Sequence, residues 1–286
     1  MSRRQPHRPA HSPLFDHPML IAQLSDAHIE GWGQKTFGIA PMAEHLARCV
    51  AHINQLSSQP DLVLVTGDVT NNGLPEEMAH AAAILGELTP PWYVIPGNHD
   101  DRAALLATFG PSACPAVSES FINYVIEGND LRLIGLDSTL PGAPGGEISQ
   151  EQAAWLDERL CEKPDQPTCL FMHHPPVKFG VIETDIDGFD GAERLAAVLE
   201  KHPQVQRILA GHIHLSSLTQ WRGVVVSTAP SMGMRLFLDL TMELPSAFIL
   251  DAPGYHLHYW TPEQRLITHT VRVLASEDLH PFAATH

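Results

Sequence analysis

The sequence predicts an α/β protein built on two sheets, and three observations carry the prediction. Between Met19 and Phe109 short apolar runs alternate with segments of helical period, the pattern of parallel strands joined by crossover helices. From Phe121 onward a hairpin-like strand pair meets at Gly128-Asn129, so a second sheet holds antiparallel or mixed pairing. Five apolar runs stop at turns that carry Asp, Asn or His. In open α/β sheets that carboxyl edge is where ligands bind.

Taken in order, Met19 to Gln23 reads as the first buried strand. Residues 29–40, rich in Gly and aromatics (Gly31, Trp32, Gly33, Phe37, Gly38), form a loop near the site. Apolar residues at helical spacing (Met42, Leu46, Cys49, Val50, Ile53) predict a helix from Pro41 to Leu56, with Pro41 suited to its first turn. Asp61 to Thr66 is the second strand, Pro75 to Leu88 the second helix, Trp92 to Ile95 the third strand, and residues 101–109 the third helix. Strands follow over Phe121 to Glu127, Asp130 to Asp137 and Cys169 to His173, with a helix from Gln150 to Leu160 before the last of these. A helix over Gly191 to Lys201 leads into the strand Val205 to Ala210. Trp221 to Ser227, Ala247 to Asp251, Gly254 to Trp260 and Gln264 to Val273 complete the strands. Between Thr228 and Pro245 the pattern is less regular and carries exposed-looking apolar residues, among them Met232, Met234, Leu236, Phe237 and Leu240. They are either a subunit interface or the core of a small lobe.

With 286 residues and 44% hydrophobic content, the chain buries a substantial core as one domain, or one domain with an appendage. A formal net charge of -16 argues against a nucleic-acid polymer or an anionic membrane as the main partner. It permits a small anionic substrate, because bound cations invert the local field. Cys49, Cys114, Cys161 and Cys169 show no Cys-x-x-Cys spacing and read as reduced, mostly buried thiols. Residues 1–17 carry Arg3, Arg4 and Arg8 without an apolar run of signal-peptide length, and are expected to be a disordered tail. No stretch approaches the roughly 20 apolar residues of a membrane span. The expectation is a soluble, cytoplasmic protein.

The strand ends offer Asp26, His28, Asp68, Asn98, His173, His212 and His214. Hard divalent cations favour oxygen donors, while imidazole suits zinc, iron, manganese and their neighbours. Two metals sharing a bridging carboxylate need about this many groups. The spacing of Asp26/His28 and of His212/His214 lets both members of each pair face one way, since strand side chains repeat every second residue. Any single pair could be a solvated loop; five converging stretches make a site.

In this order Asp26-x-His28, Gly67-Asp68, Gly97-Asn98-His99-Asp100, His173 and Gly211-His212-x-His214 resemble the calcineurin-like metallophosphoesterases, over about Leu20 to Leu215. Asn98-His99-Asp100-Asp101, Phe171-Met172-His173-His174-Pro175-Pro176 and the residues 67–77 are similar to its cyclic-nucleotide and glycerophosphodiester phosphodiesterase branch. The resemblance implies a four-layer α-β-β-α sandwich with two mixed sheets and a dinuclear centre of divalent or mixed-valence iron, manganese, zinc or cobalt. Asp26, His28 and His214 would hold one metal, Asn98, His173 and His212 the other, and Asp68 would bridge them. A metal-activated hydroxide would attack the phosphorus of a small phosphodiester, glycerophosphodiesters ahead of 3′,5′-cyclic nucleotides. The remaining alternatives are a phosphomonoesterase, a nucleotide pyrophosphatase or a non-catalytic metal-bound scaffold.

His99 would donate a hydrogen bond to a phosphate or leaving oxygen, the alternative being a packing role beside the ligands. Asp100 and His174 would orient ligands. Asn98, His99, Trp32 and Phe37 are the expected substrate-binding residues. The branch carries a β-rich extension that contributes to oligomerisation, which implies a dimer or larger. The implied domains are a catalytic unit over residues 18–275, in which 228–262 forms a protruding oligomerisation or cap segment, and a C-terminal tail over 276–286. The sequence departs from the glycerophosphodiesterase pattern around Trp32 and in residues 177–190.

Overall fold

Six residues, Met19–Leu24, form β1, and it becomes the middle of a five-stranded sheet. The computed structural model describes residues 19–116, 118, 120–276 and 280. The tail expected over 1–17 lies outside them, as does the one expected over 276–286 apart from residues 276 and 280.

After β1 come α1 (Met42–Gln55), β2 (Leu62–Thr66), α2 (Pro75–Leu85), β3 (Trp92–Ile95) and α3 (Arg102–Ala113). Next are β4 (Tyr124–Ile126), β5 (Arg132–Gly135), β6 (Gly146–Glu147), α4 (Gln150–Cys161), β7 (Thr168–Phe171), α5 (Ile182–Asp185) and β8 (Phe189–Asp190). The chain continues through α6 (Ala192–Leu199), β9 (Val205–Ala210), β10 (Ser217–Trp221), β11 (Val224–Thr228), β12 (Met234–Leu236), β13 (Phe248–Leu250), β14 (Gly254–Trp260) and β15 (Leu266–Arg272).

The first sheet has the order β15-β14-β1-β2-β3 and the second β10-β11-β9-β7-β5-β4. β1, β2 and β3 run parallel, and so do β5, β7, β9 and β11. Antiparallel β14–β15, β10 and β4 make both sheets mixed. The sheets pack face to face. The Tyr124 hydroxyl of the second donates to the Val94 carbonyl of the first at 2.7 Å, and Gln23 Nε2 donates to the Ala210 carbonyl at 3.0 Å. Helices α1, α2 and α3 cover the outer face of the first sheet, while α4 and α6 pack together over the second. The result is the expected four-layer sandwich.

Most elements form where their local chemistry directs. Asp101 Oδ1 accepts from Ala104 N at 2.8 Å and caps α3. That helix is regular only to Phe109, because Gly110 has φ 47° and Pro111 follows it. Ser149 and Gln152 close a reciprocal capping box on α4.

Three expectations change. The strand expected over Trp221 to Ser227 is broken by a two-residue turn at Arg222 (φ 49°) and Gly223 (φ 83°), which folds β10 back on β11. Such a turn needs left-handed backbone at both positions, and Arg at the first concealed it. Met232 and Met234 are 0% and 1% exposed and belong to the core, with Leu236 also buried. The outward apolar residues of that segment are Phe237, Leu238, Leu240 and Leu244. Finally, the stretch expected to protrude to residue 262 includes β14, which instead pairs with β1 in the first sheet. The separate antiparallel pair β12–β13 is what stands apart.

Candidate metal centre

The carboxyl ends of β1, β2, β3, β7 and β9 deliver the seven expected ligand residues to one place. Extended-strand alternation is not what arranges them. Asp26, His28, Asp68, His212 and His214 lie beyond the strand ends with φ of 56°, 44°, 48°, 72° and 53°. Left-handed backbone costs a non-glycine residue roughly 1–3 kcal/mol, and Asp and His tolerate it better than most. Interlocked loops hold it in place: Asp26 N donates to the Gly67 carbonyl at 3.1 Å and His28 N to the Asp68 carbonyl at 2.9 Å. The glycines before two motifs are needed for close approach. A Cβ on Gly97 would overlap the Asp68 carboxylate, and one on Gly211 would overlap Ser25 Oγ.

Asp68 sits between two groups of side chains. Its Oδ2 is 3.5 Å from His28 Nε2 and 3.3 Å from His173 Nε2. On one side His28 Nε2 and His214 Nε2 face each other at 3.0 Å, with Asp26 Oδ1 3.5 Å from the latter. On the other, Asn98 Oδ1 is 3.1 Å from His173 Nε2, and the His212 ring meets His173 edge-on.

Backbone carbonyls fix the imidazole tautomers, because a carbonyl only accepts. His173 Nδ1 donates to Thr66 O at 2.9 Å, His214 Nδ1 to Met234 O at 2.7 Å and His212 Nε2 to Glu183 O at 3.1 Å. The opposite nitrogens of His212 and His214 are left with their lone pairs, the form that ligates a metal, whereas His173 Nε2 faces the Asp68 and Asn98 oxygens and ligates on giving up its proton. His28 Nδ1 is buried without a partner.

The electrostatics also suit cations. Burial alone would lift the Asp68 carboxyl, but His173, His28 and His99 hold it well below the usual carboxylate range. Burial opposes charge on His173 as well, yet the Asp68 carboxylate carries it up to about 9. The Asp68 carboxylate favours a positive charge beside it, while burial raises the Asp26 carboxyl. Desolvation keeps His28 neutral and lowers His212 to about 3, so their lone pairs stay available.

His174 lies beside His173 and His212, with one nitrogen of each ring within 4.8 Å of the others, but both nitrogens of His174 have other partners. Its Nδ1 meets Ser138 Oγ at 3.0 Å and its Nε2 donates to Pro144 O at 3.1 Å, so it holds the loop behind the centre. Asp100 does similar work, accepting from Val69 N, Gly97 N and Thr70 N and so tying the Asn98 turn to the Asp68 turn.

A cavity of about 380 Å³ opens from the cluster, with Asn98, His99 and Phe37 in its wall. His99 Nδ1 donates to Asn71 O at 2.7 Å. Trp32 is not part of that wall: it is 64% exposed and stacks on His80 with centroids 4.0 Å apart. The rest of the wall, including Glu183, Asp187, Ser246 and Phe248, carried no local sequence signal. These four come from α5 and the turn after it, and from β13 and the loop before it, which only the tertiary fold brings to the site.

Residues 19–216 match the calcineurin-like phosphoesterases. The chain belongs to that family. This phosphoesterase is 39% identical over 265 residues to a "Probable glycerophosphodiester phosphodiesterase GpdQ" of Arcobacter nitrofigilis, covering 92% of this chain and 97% of that one. It is 37% identical to "Glycerophosphodiester phosphodiesterase GpdQ" of Enterobacter lignolyticus, over 74% and 77% of the two chains. With "3',5'-cyclic adenosine monophosphate phosphodiesterase CpdA" of Escherichia coli K12 the identity is 28%, over 74% and 75%. Among solved structures, a dimetal phosphatase from Danio rerio superposes with a TM-score of 0.65 at 16% identity, over 90% of this chain and 96% of that one, a likeness of fold. Membership of the family implies divalent metal ions, and the nitrogen and oxygen donors of this phosphoesterase fit them.

Proposed function

We propose that this phosphoesterase hydrolyses small phosphodiesters of the glycerophosphodiester type with two metal ions. The observation that carries the reading is the 39% identity to a GpdQ relative over 92% of the chain, in a protein that gathers the six other expected donor residues around Asp68. In this reading Asp26, His28 and His214 would hold one cation, Asn98, His173 and His212 would hold the other, and Asp68 would be shared between them. Iron, manganese, zinc and cobalt all suit such a donor set. When bound, the ions supply Lewis-acid charge to the phosphate oxygens and lower the pKa of water.

The chain's own groups do the remainder. Asn98 lines the cavity beside His99, and its side chain orients the diester. The Nδ1 proton of His99 is committed to Asn71 O. His99 therefore donates from Nε2 only as an imidazolium, and that proton leaves with the alcohol. Phe37 and Phe248, 5.6 Å apart, offer apolar surface to one side of the leaving group.

A second reading, 3′,5′-cyclic nucleotides, is favoured by this aromatic pair, which offers a face for a base, and by the CpdA relative. No helix among the described residues is long and apolar enough to cross a membrane; a cytoplasmic location and a dimer or larger assembly complete the proposal. The test is a comparison of kcat/KM for a glycerophosphodiester, cyclic AMP, bis(p-nitrophenyl) phosphate and p-nitrophenyl phosphate with manganese supplied. A diester should lead, with the glycerophosphodiester ahead of cyclic AMP. A monoester faster than every diester would overturn the reading.

A further inference from the structure

The cavity beyond the ligand cluster is acidic. Glu183 and Asp187 both line it, and among the described residues of its wall there is neither Lys nor Arg. Glu183 is held in place twice. Its carbonyl accepts from His212 Nε2 at 3.1 Å, and its carboxylate accepts the Ser246 hydroxyl. Asp187 is near enough to feel it: burial first, and then the Glu183 charge, raise the Asp187 carboxyl. Phe37, Leu236 and Phe248 give the same cavity apolar surface.

This arrangement bears on a problem of charge. A monoester dianion carries one more negative charge than a diester. Two cations by themselves draw the dianion more strongly, so a preference for diesters has to come from the surrounding protein, and carboxylates in the cavity wall oppose the extra charge. We infer that Glu183 and Asp187 form a charge filter, admitting phosphodiesters with an uncharged or cationic leaving group and turning away monoesters and substrates with a second anionic group. The inference rests on the phosphodiesterase reading above. It also gives a role to residues 177–190, the stretch where the sequence departs from the glycerophosphodiesterase pattern. Since the cavity opens to solvent, the repulsion is screened by salt.

The experiment uses manganese-loaded enzyme and two substrates that release the same p-nitrophenolate, p-nitrophenyl phosphate and bis(p-nitrophenyl) phosphate. The monoester-to-diester ratio of kcat/KM is measured at low and high ionic strength for the native protein, Asp187→Asn, and Glu183→Gln with Asp187→Asn. Glu263→Gln, an exposed carboxylate outside the cavity, controls for net charge. The ratio should rise roughly tenfold in the double variant and about threefold in Asp187→Asn, the scale for removing one or two partly screened repulsions. In the native protein it should rise with salt, and in the double variant it should not. A ratio within about twofold of native in both variants overturns the filter; should the double variant misfold, Asp187→Asn at its exposed position decides alone. The native ratio itself tests the phosphodiesterase reading, while its change on substitution tests the filter.

Discussion

Asp68 Oδ2 stands 3.3 Å from His173 Nε2. The same oxygen is 3.5 Å from His28 Nε2, so one carboxylate touches both halves of the ligand cluster. Asp68→Ala is therefore expected to abolish hydrolysis and to strip metal from both sites, whereas Asn98→Ala empties mainly one. Metal stoichiometry of the purified variants checks this. A fully metallated, active Asp68→Ala protein would show that the residue does not bridge.

His99 is expected to act on turnover and not on metal retention. It lies in the cavity wall and its Nδ1 is tied to Asn71 O, leaving Nε2 for the substrate. His99→Ala should lower kcat by roughly 10²–10⁴-fold, the usual scale for a positioned proton donor, with two metals per chain retained. Loss of metal in parallel with activity would make His99 a ligand or its support.

The convergence of the seven expected ligand residues was legible in the sequence because they sit at the ends of apolar runs. Leu62–Thr66 and Val205–Ala210 are buried strands, and a polar residue at the stop of such a run has few reasons to be there except a site. The groups that aim those residues were not legible. Thr66 O, Met234 O, Glu183 O and Asn71 O orient four imidazoles as backbone atoms, which every residue type possesses. Trp32 and Phe37 looked alike in an aromatic-rich loop. Only the tertiary fold sends Phe37 to Phe248 and Trp32 to His80. The spacing of Asp26 and His28 predicted a shared direction for a reason that fails, since left-handed loop backbone sets it, not a strand.

An assembly prediction follows from Phe237, Leu238, Leu240 and Leu244, which face outward beside β12. If they form a subunit interface, the protein should scatter light as a dimer or larger, and Phe237→Lys with Leu240→Lys should shift it towards monomer. Leu236 is buried and unsuitable for this test, because a charge there would unfold the lobe. A native protein that is monomeric at micromolar concentration excludes the interface.

Acid should destabilise the fold through His256 and His258. Burial, then Arg207, lowers His256 to about 4, and burial lowers His258 well below its ordinary value. The native state keeps both neutral, while the unfolded chain takes up protons below about 6.5. Stability is thus lost as pH falls from about 6.5 to about 4, by about 3 kcal/mol for His256. Urea midpoints measured over that window should fall less steeply in His256→Gln; an unchanged slope would remove His256 from the account.

The diesterase should need both cations, and titrating metal-free protein with manganese tests this most directly. Hydrolysis of a glycerophosphodiester should stay near zero at one equivalent per chain and rise towards its maximum as the second binds. Full activity at one equivalent, or without metal, would contradict the claim.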